Sequence, residues 1–228
     1  MIVLAIETAT RNGSVAVVTM TSTLAAHAGD AARPHATRLP GDALDALAAA
    51  ALTLADVNLF AVCLGPGAFT GLRVGIAAAQ GLAFATALPI IGVSALEALA
   101  LSALDGQPDD VVAGVWIDAA RGEVFAARYR RVSASATGVA LIDEPVSAPP
   151  GVVAARWRDD GPDVAFWIGD GVVRYRSHLA DGARVQPAPI LAPLVGRLAI
   201  ARRSEAGAPH VLRPLYVRPP DAELARRR

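Results

Sequence analysis

The sequence has a single cysteine and no lysine among its 228 residues, and its formal net charge is zero. Cys63 has no partner for an intramolecular disulfide, which fits a reducing compartment, and its apolar surroundings predict a buried structural thiol. A neutral chain carries no overall basic field of the kind that indicates nucleic-acid binding. No apolar run reaches the length of a membrane span, and the first residues lack the basic segment of a signal peptide. These absences predict a cytoplasmic globular protein.

The most informative stretch is residues 65–75, which read Gly-Pro-Gly-Ala-Phe-Thr-Gly-Leu-Arg-Val-Gly. An apolar run precedes it and an alanine-rich segment follows it, which predicts the order strand, glycine turn and helix. The start of a helix presents free N–H groups that suit an anion, but neither a Walker loop nor a GxGxxG fingerprint is present. Two interpretations stay open: an anion cradle, or a tight turn that packs a helix closely on a sheet.

Hydrophobic periodicity predicts an α/β protein in which three strands are followed by alternating helices and strands. The strands of the first half are predicted at 2–8, 14–20, 23–28, 58–64 and 90–93, and the helices at 34–52, 70–87 and from Ser94 to about Leu104. In the second half a hairpin is predicted at 111–118 and 123–132, a strand at 164–168 and a helix at 193–203.

The second half therefore repeats the hairpin that opens the first half. This duplication predicts two lobes built on βββαβα units, which is the architecture of the actin-like ATPases, the ASKHA fold. A polar stretch at 105–110 predicts the boundary between the lobes. The expected lobes are residues 1–105 and 106–228, with a C-terminal segment of the second lobe packing back on the first.

Several blocks of the sequence together resemble the bacterial TsaB (YeaZ) family. They occur in the family's order along nearly the whole chain, and they lie at 6–10, 65–75, 80–83, 91–94, 118–125 and 214–218. The chain departs from the family pattern at Glu7, where the family usually has Asp, and it matches only loosely after Phe125.

The resemblance implies the actin-like fold and a role in tRNA modification. In that family, the protein is a non-catalytic partner of the related catalytic subunit TsaD, and an ATPase, TsaE, joins them. The reaction places a threonylcarbamoyl group on the adenosine beside the anticodon of tRNA. The resemblance therefore implies an accessory subunit rather than an enzyme, which meets tRNA only through the complex. A homodimer of the isolated chain stays open.

Two other classes of function are weighed against this one. A stand-alone actin-like ATPase or kinase needs a glycine directly after the acid that ends the first strand, but alanines and a threonine follow Glu7 and Asp118. A glycoprotease-type metallopeptidase needs two histidines four apart on a helix, and no two of the four histidines have that spacing. A degenerate nucleotide pocket near Thr10, Gly67 and Thr70 stays open, as does ATP or ADP at the partner interface.

The helices at 34–52 and 70–87 are more apolar than packing on one sheet requires. One explanation is an internal core; the other is an interface with TsaD or a second copy of the chain, which the family resemblance favours. Gly71, Gly75 and Ala79 have a spacing that would let another helix cross closely. The residues predicted to contact the partner are Leu39, Leu44, Leu47, Arg73, Ala77, Gln80 and Phe84.

The last residues, 218–228, are first proline-rich and then basic, ending in three arginines. Short terminal segments of this kind are commonly disordered. Contact of Arg226–Arg228 with the tRNA backbone stays open, since binding phosphate needs only charge and reach.

Overall fold

A computed structural model describes residues 1–218, and within them it has eleven β-strands and six α-helices. The strands are β1 (Ile2–Glu7), β2 (Ser14–Thr19), β3 (Thr23–Ala28), β4 (Leu59–Gly65), β5 (Ile90–Ser94), β6 (Val112–Asp118), β7 (Val124–Arg131), β8 (Val139–Leu141), β9 (Val146–Ala148), β10 (Phe166–Ile168) and β11 (Val185–Gln186). The helices are α1 (His35–Ala49), α2 (Phe69–Thr86), α3 (Ala95–Leu104), α4 (Pro150–Asp159), α5 (Asp170–Arg174) and α6 (Ala192–Ala201).

The first unit comprises Met1–Ala98 and Ile190–Pro214. Its sheet has the order β3-β2-β1-β4-β5, in which the first three strands are antiparallel and β4 and β5 run parallel to β1. Alternate residues of β1, such as Leu4 and Ile6, pack with side chains of α1 and α2 in one buried core. α6 packs against β1 and β2, where Gly196 lies close to Ala5 and Val18. Helices therefore bury both faces of this sheet.

The second unit comprises Leu99–Pro189 and, among the described residues, 215–218. Its sheet has the order β11-β10-β6-β7-β8, and β9 also pairs with β7. A cluster of Trp116, Trp157 and Trp167, whose ring centroids lie 5.1–6.2 Å apart, forms part of its core. Such aromatic contacts contribute large buried area in a small sheet.

The two sheets share one topology, which confirms the predicted fold class with its duplicated unit. In each, the first strand pairs antiparallel with the second, the second with the third, and the fourth and fifth strands run parallel to the first. Hydrophobic periodicity does not predict two helices of the second copy, α4 and α5, or its short strands β8, β9 and β11.

The division of the chain differs from the expected one at residue 105. The first unit ends at Ala98, inside α3, and Ile190–Pro214 belongs to the same unit. Ile190–Pro214 belongs to the first unit because α6, in which Val195 and Leu198 are buried, packs on the first sheet. The predictions made for Arg226–Arg228 lie outside the described residues.

Several predicted details have clear local causes. α2 ends where Ala87 adopts a left-handed conformation, with φ of 54°, two residues before Pro89. Cys63 is buried in β4, as its apolar neighbours predict, and burial raises the pKa of its thiol.

Along residues 1–218, no helix combines the length and the apolar character needed to cross a lipid bilayer.

Candidate functional site

The glycine turn between β4 and α2 lies directly against the loop that follows β1. The Ala68 amide donates to the Ala9 carbonyl at 2.9 Å. A Cβ at Gly67 would lie 2.5 Å from that carbonyl oxygen, and a Cβ at Gly71 would lie 2.4 Å from the carbonyl oxygen of Thr8. Real Cβ atoms do not approach so closely, so the glycines allow the helix to meet the strand end. At these positions the contacts match the close-packing interpretation of the turn.

The stripe of small residues on α2 faces the unit's own sheet. A Cβ at Gly75 would collide with the Thr8 side chain, and Ala79 is fully buried in the core beneath α1 and α2. The stripe is therefore closed to a helix of another chain. The close approach that the spacing permits is made within the unit, by Thr8 directly after β1 and, at Gly71, by His35 of α1.

Glu7, the acid at the end of β1, is buried and holds the loop that follows it. Its carboxylate accepts hydrogen bonds from the Thr10 amide at 2.7 Å, the Thr10 hydroxyl at 3.0 Å and the Ser14 hydroxyl at 3.0 Å. Burial raises the pKa of Glu7, while these hydrogen bonds act in the opposite direction. The carboxylate oxygens of Glu7 are therefore already engaged within the unit.

Ser14 extends the network from β2 to α6. Its hydroxyl oxygen accepts the amide of Ala192, at the start of α6, at a distance of 3.1 Å. One buried side chain therefore joins the Glu7 carboxylate to a helix that follows it by 178 residues. The amide of a first helical turn has no partner within its own helix, so Ser14 supplies one.

We expect Ser14→Ala to lower the free energy of unfolding by about 2 kcal/mol, because it leaves a buried carboxylate oxygen and a buried amide without this partner. Urea unfolding followed by circular dichroism measures the change. Ser22→Ala, which removes an exposed hydroxyl in the β2–β3 turn, is the matched control and should change it by less than about 0.5 kcal/mol. Equal effects of the two substitutions would contradict the network.

The three residues considered for a nucleotide pocket make different contacts. Thr10 donates its hydroxyl to Glu7 and accepts the Gly13 amide at 3.1 Å. Gly67 is closely packed on Ala9, and Thr70 is exposed in the first turn of α2. Two of the three thus serve the local structure of the loop, and nucleotide binding there stays a prediction.

Asp118 occupies the equivalent strand end in the second unit. Its carboxylate accepts the Arg174 guanidinium at 2.8 Å, the Ala120 amide at 3.1 Å and the Tyr175 hydroxyl at 3.2 Å. The Asp118 amide in turn donates to the Asp170 carboxylate at 3.0 Å. This acid also ties a strand end to the following turn and to α5. Among residues 1–218, no three His, Cys, Asp or Glu side chains are placed to hold a metal ion.

His35, at the start of α1, is enclosed between the β1–β2 loop and α2. Its Nδ1 lies 2.8 Å from the guanidinium of Arg38, which also contacts the Asp42 carboxylate and the Asn12 carbonyl. Because a guanidinium can only donate, Nδ1 accepts this bond and the imidazole is neutral. Burial, followed by the charge of Arg38, lowers the pKa of His35, although Thr10 and Asp42 oppose the shift. Gly71 lies against the other edge of the ring.

This cluster predicts a stability that falls on mild acidification. An unfolded histidine has a pKa of about 6.5, so the unfolded state takes up the proton first and the free energy of unfolding decreases as the pH drops below that value. His35→Asn keeps an acceptor for Arg38 and removes the titration, so its unfolding free energy should depend less on pH than that of the wild type. Urea unfolding at about pH 7.5 and 5.5 measures the difference.

His27→Asn, a change in β3, serves as the control for this measurement. We expect the unfolding free energy of His27→Asn to change between the two pH values as much as that of the wild type, and that of His35→Asn to change less. Identical slopes for His35→Asn and the wild type would show that the Arg38–His35 contact does not link the proton to folding.

α1 and α2 present an apolar surface, here called the helix face. Phe84 is 83% exposed and Leu44 is 61% exposed, and Ala77 lies on the same exposed side of α2. The Arg73 guanidinium lies 3.8 Å from the ring centroid of Phe69, one turn earlier in α2. Large apolar side chains so exposed on a helix commonly mark an interaction site.

The structure removes two residues from the predicted interface and changes the role of a third. Leu39 and Leu47 are 2% and 1% exposed and belong to the core between α1, α2 and the sheet. Their predicted contact with a partner is wrong, because α1 turns its leucines to both sides. Gln80 donates its amide to the Pro209 carbonyl at 2.6 Å and to the Leu212 carbonyl at 3.3 Å, and it thus holds a later segment of the same unit.

Comparison with known proteins agrees with this architecture. A family model described as TsaD, tRNA N6-adenosine threonylcarbamoyltransferase, matches residues 25–148. The Escherichia coli tRNA threonylcarbamoyladenosine biosynthesis protein TsaB is 42% identical over 131 residues, which are 58% of this chain and 56% of that protein. An uncharacterized Mycobacterium tuberculosis protein is 35% identical over 193 residues, 84% of this chain and 79% of that one.

The similarity extends to solved structures. YeaZ from Pseudomonas aeruginosa superposes with a TM-score of 0.77 at 30% identity, covering 94% of this chain and 99% of that one. A second P. aeruginosa structure, of a protein described as similar to the peptidase YeaZ, gives a TM-score of 0.80, also at 30% identity, and covers 95% of this chain and 99% of that one. Because the similarity in fold and sequence extends over nearly its whole length, the chain belongs to the TsaB/YeaZ family of tRNA threonylcarbamoyladenosine biosynthesis proteins.

Proposed function

We propose that this chain is the non-catalytic subunit of a tRNA threonylcarbamoyltransferase and that it acts by binding a TsaD-type catalytic subunit through the helix face. Two relatives that carry the TsaB name are tRNA threonylcarbamoyladenosine biosynthesis proteins, which supports the pathway. The single observation that carries the binding mode is Phe84, an aromatic side chain that is 83% exposed on a long helix. A side chain of this size gains most from being covered by a partner.

The helix face has the composition of an interface centre. It combines the apolar Phe84 and Leu44 with small residues, such as Ala77, that allow close approach. Aromatic and arginine side chains carry much of the binding energy in many interfaces, and α2 offers both in the stacked pair of Phe69 and Arg73. A stable interface buries about 1,600 Å² in total, which two adjacent helices of this length can supply together with their flanks.

On this proposal, the chain contributes binding surface rather than chemistry. Glu7 and Asp118, the strand-end acids, are engaged by hydrogen bonds within their own units, which leaves them as supports for the loops. TsaE and tRNA then meet the assembled complex in the cytoplasm, and the place for ATP or ADP is where the subunits meet. In isolation, the same face serves contact between two copies of the chain.

Reconstitution tests the proposal. The purified chain is mixed with the TsaD-type subunit, TsaE, threonylcarbamoyl-AMP and unmodified tRNA, and the modified adenosine is measured after digestion to nucleosides. We expect no product from the chain alone and strong stimulation when it joins the catalytic subunit, with the two proteins eluting together on size exclusion. Modification by the chain alone, or an undiminished yield when it is omitted, would overturn the proposal.

A further inference from the structure

The turn between β6 and β7 holds three consecutive residues in the left-handed region. Ala120, Arg121 and Gly122 have φ values of 56°, 55° and 77°. Only the last is a glycine, so the first two carry the steric cost of this conformation. Two backbone hydrogen bonds close the turn, from the Ala119 amide to the Glu123 carbonyl and from the Glu123 amide to the Ala120 carbonyl, both at 3.0 Å. Residues 120–122 are exposed, so core packing does not impose their conformation.

A side chain from the end of the described chain joins the two sides of this turn. The Arg218 guanidinium donates to the Glu123 carboxylate at 2.9 Å and to the Ala119 carbonyl at 3.0 Å. Its carbon lies 5.8 Å from the ring centroid of Phe125, on the strand that leaves the turn. Arg218 therefore contacts the first and the last residue of the 119–123 turn.

The Glu123 carboxylate is also fixed from a neighbouring strand. The Ser147 hydroxyl, in β9, donates to the same carboxylate oxygen at 2.7 Å. The Ser147 hydrogen bond, followed by the Arg218 bond, lowers the pKa of Glu123, so the carboxylate is charged at neutral pH. A charged acceptor held in place makes the hydrogen bonds from Arg218 stronger than neutral ones.

We propose that Arg218 is a clasp that holds the 119–123 turn in its strained left-handed conformation, and that the turn relaxes when the clasp opens. The clasp is a conformational device of the second unit and does not depend on the proposed function. The partners lie 95 residues apart along the chain, so the shape of an exposed turn is set by the C-terminal segment 214–218. Both side chains are about a quarter to a third exposed, which leaves the ion pair open to weakening by salt.

Amide hydrogen exchange of the full-length protein tests the clasp. In Arg218→Gln, we expect the Glu123 and Ala119 amides to exchange about tenfold faster than in the wild type, because the turn opens locally. The Arg131 amide, which closes the other end of the same hairpin on Val111, should keep its rate. Arg213→Gln is the matched control, since Arg213 donates to carbonyls of its own segment, at His210 and Leu212.

A second variant separates a clasp on a strained turn from a general support. Ala120→Gly removes the steric cost at one strained position and keeps the charges of the turn. In this background, Arg218→Gln should accelerate the Glu123 amide by only about twofold. Unchanged exchange in Arg218→Gln, an equal acceleration at Arg131, or the same tenfold effect with and without Ala120→Gly would each overturn the proposal.

Discussion

Phe84→Glu is expected to weaken binding of the TsaD-type subunit by about a hundredfold or more, roughly 3 kcal/mol. The substitution removes the most exposed large apolar side chain of α2 and places a charge where the partner would have to desolvate it. Because Phe84 makes little contact within its own unit, the free energy of unfolding should change by less than about 0.5 kcal/mol. Isothermal titration with the catalytic subunit measures the affinity, and thermal unfolding checks the fold.

Met20→Glu is the matched control for this substitution. Met20 is 62% exposed in the β2–β3 turn and belongs to neither helix of the helix face, so the same charge should leave the affinity unchanged. Ala77 lies about two helical turns before Phe84 on the same side of α2, so Ala77→Glu should behave like Phe84→Glu. Full affinity of both Phe84→Glu and Ala77→Glu would place the partner elsewhere on the molecule.

Gly71→Ala is expected to destabilise the protein by about 3 kcal/mol. The added methyl group would lie 2.4 Å from the Thr8 carbonyl oxygen, a backbone atom that cannot swing aside. Either the start of α2 or the end of β1 must then move, which disturbs the Glu7 network beside it. Urea unfolding of the variant, followed by circular dichroism, measures the loss.

The same helix provides the control. A Cβ at Gly81 would have no atom within 4 Å, so Gly81→Ala adds a methyl group in open space. Alanine is a better helix former than glycine, and this variant should gain about 0.5–1 kcal/mol. If both substitutions changed stability alike, the close approach of α2 to β1 would not be the reason for the glycine at position 71.

The periodicity of the sequence was sufficient to predict the order of strands and helices in the first unit, because α1, α2 and their strands are long and regular. Periodicity predicts fewer elements of the second unit. α5 has five residues, and β8, β9 and β11 have two or three, too few to show a period. Their positions depend on pairing with β7 and β10, which local sequence does not encode.

The sequence also does not predict which side chains of α1 and α2 are exposed. The apolar stripe of α1 is wide, so Leu44 and Leu47 look equivalent in sequence although one is exposed and the other buried. The sequence predicts Gln80 at the partner interface, whereas its side chain donates to carbonyls about 130 residues later. Contacts at such separation follow from the tertiary fold alone.

The discontinuous first unit has a consequence for the order in which the molecule can be completed during synthesis. Translation delivers β1 to β5 early, but the helix that covers their second face begins at Ala192, after residues 99–189 have been made. Until then, the apolar side of the sheet around Ala5 and Val18 is open, and the Ser14 hydroxyl lacks the Ala192 amide. The nascent chain therefore passes through a stage that exposes hydrophobic surface, when chaperones or aggregation would compete with native folding.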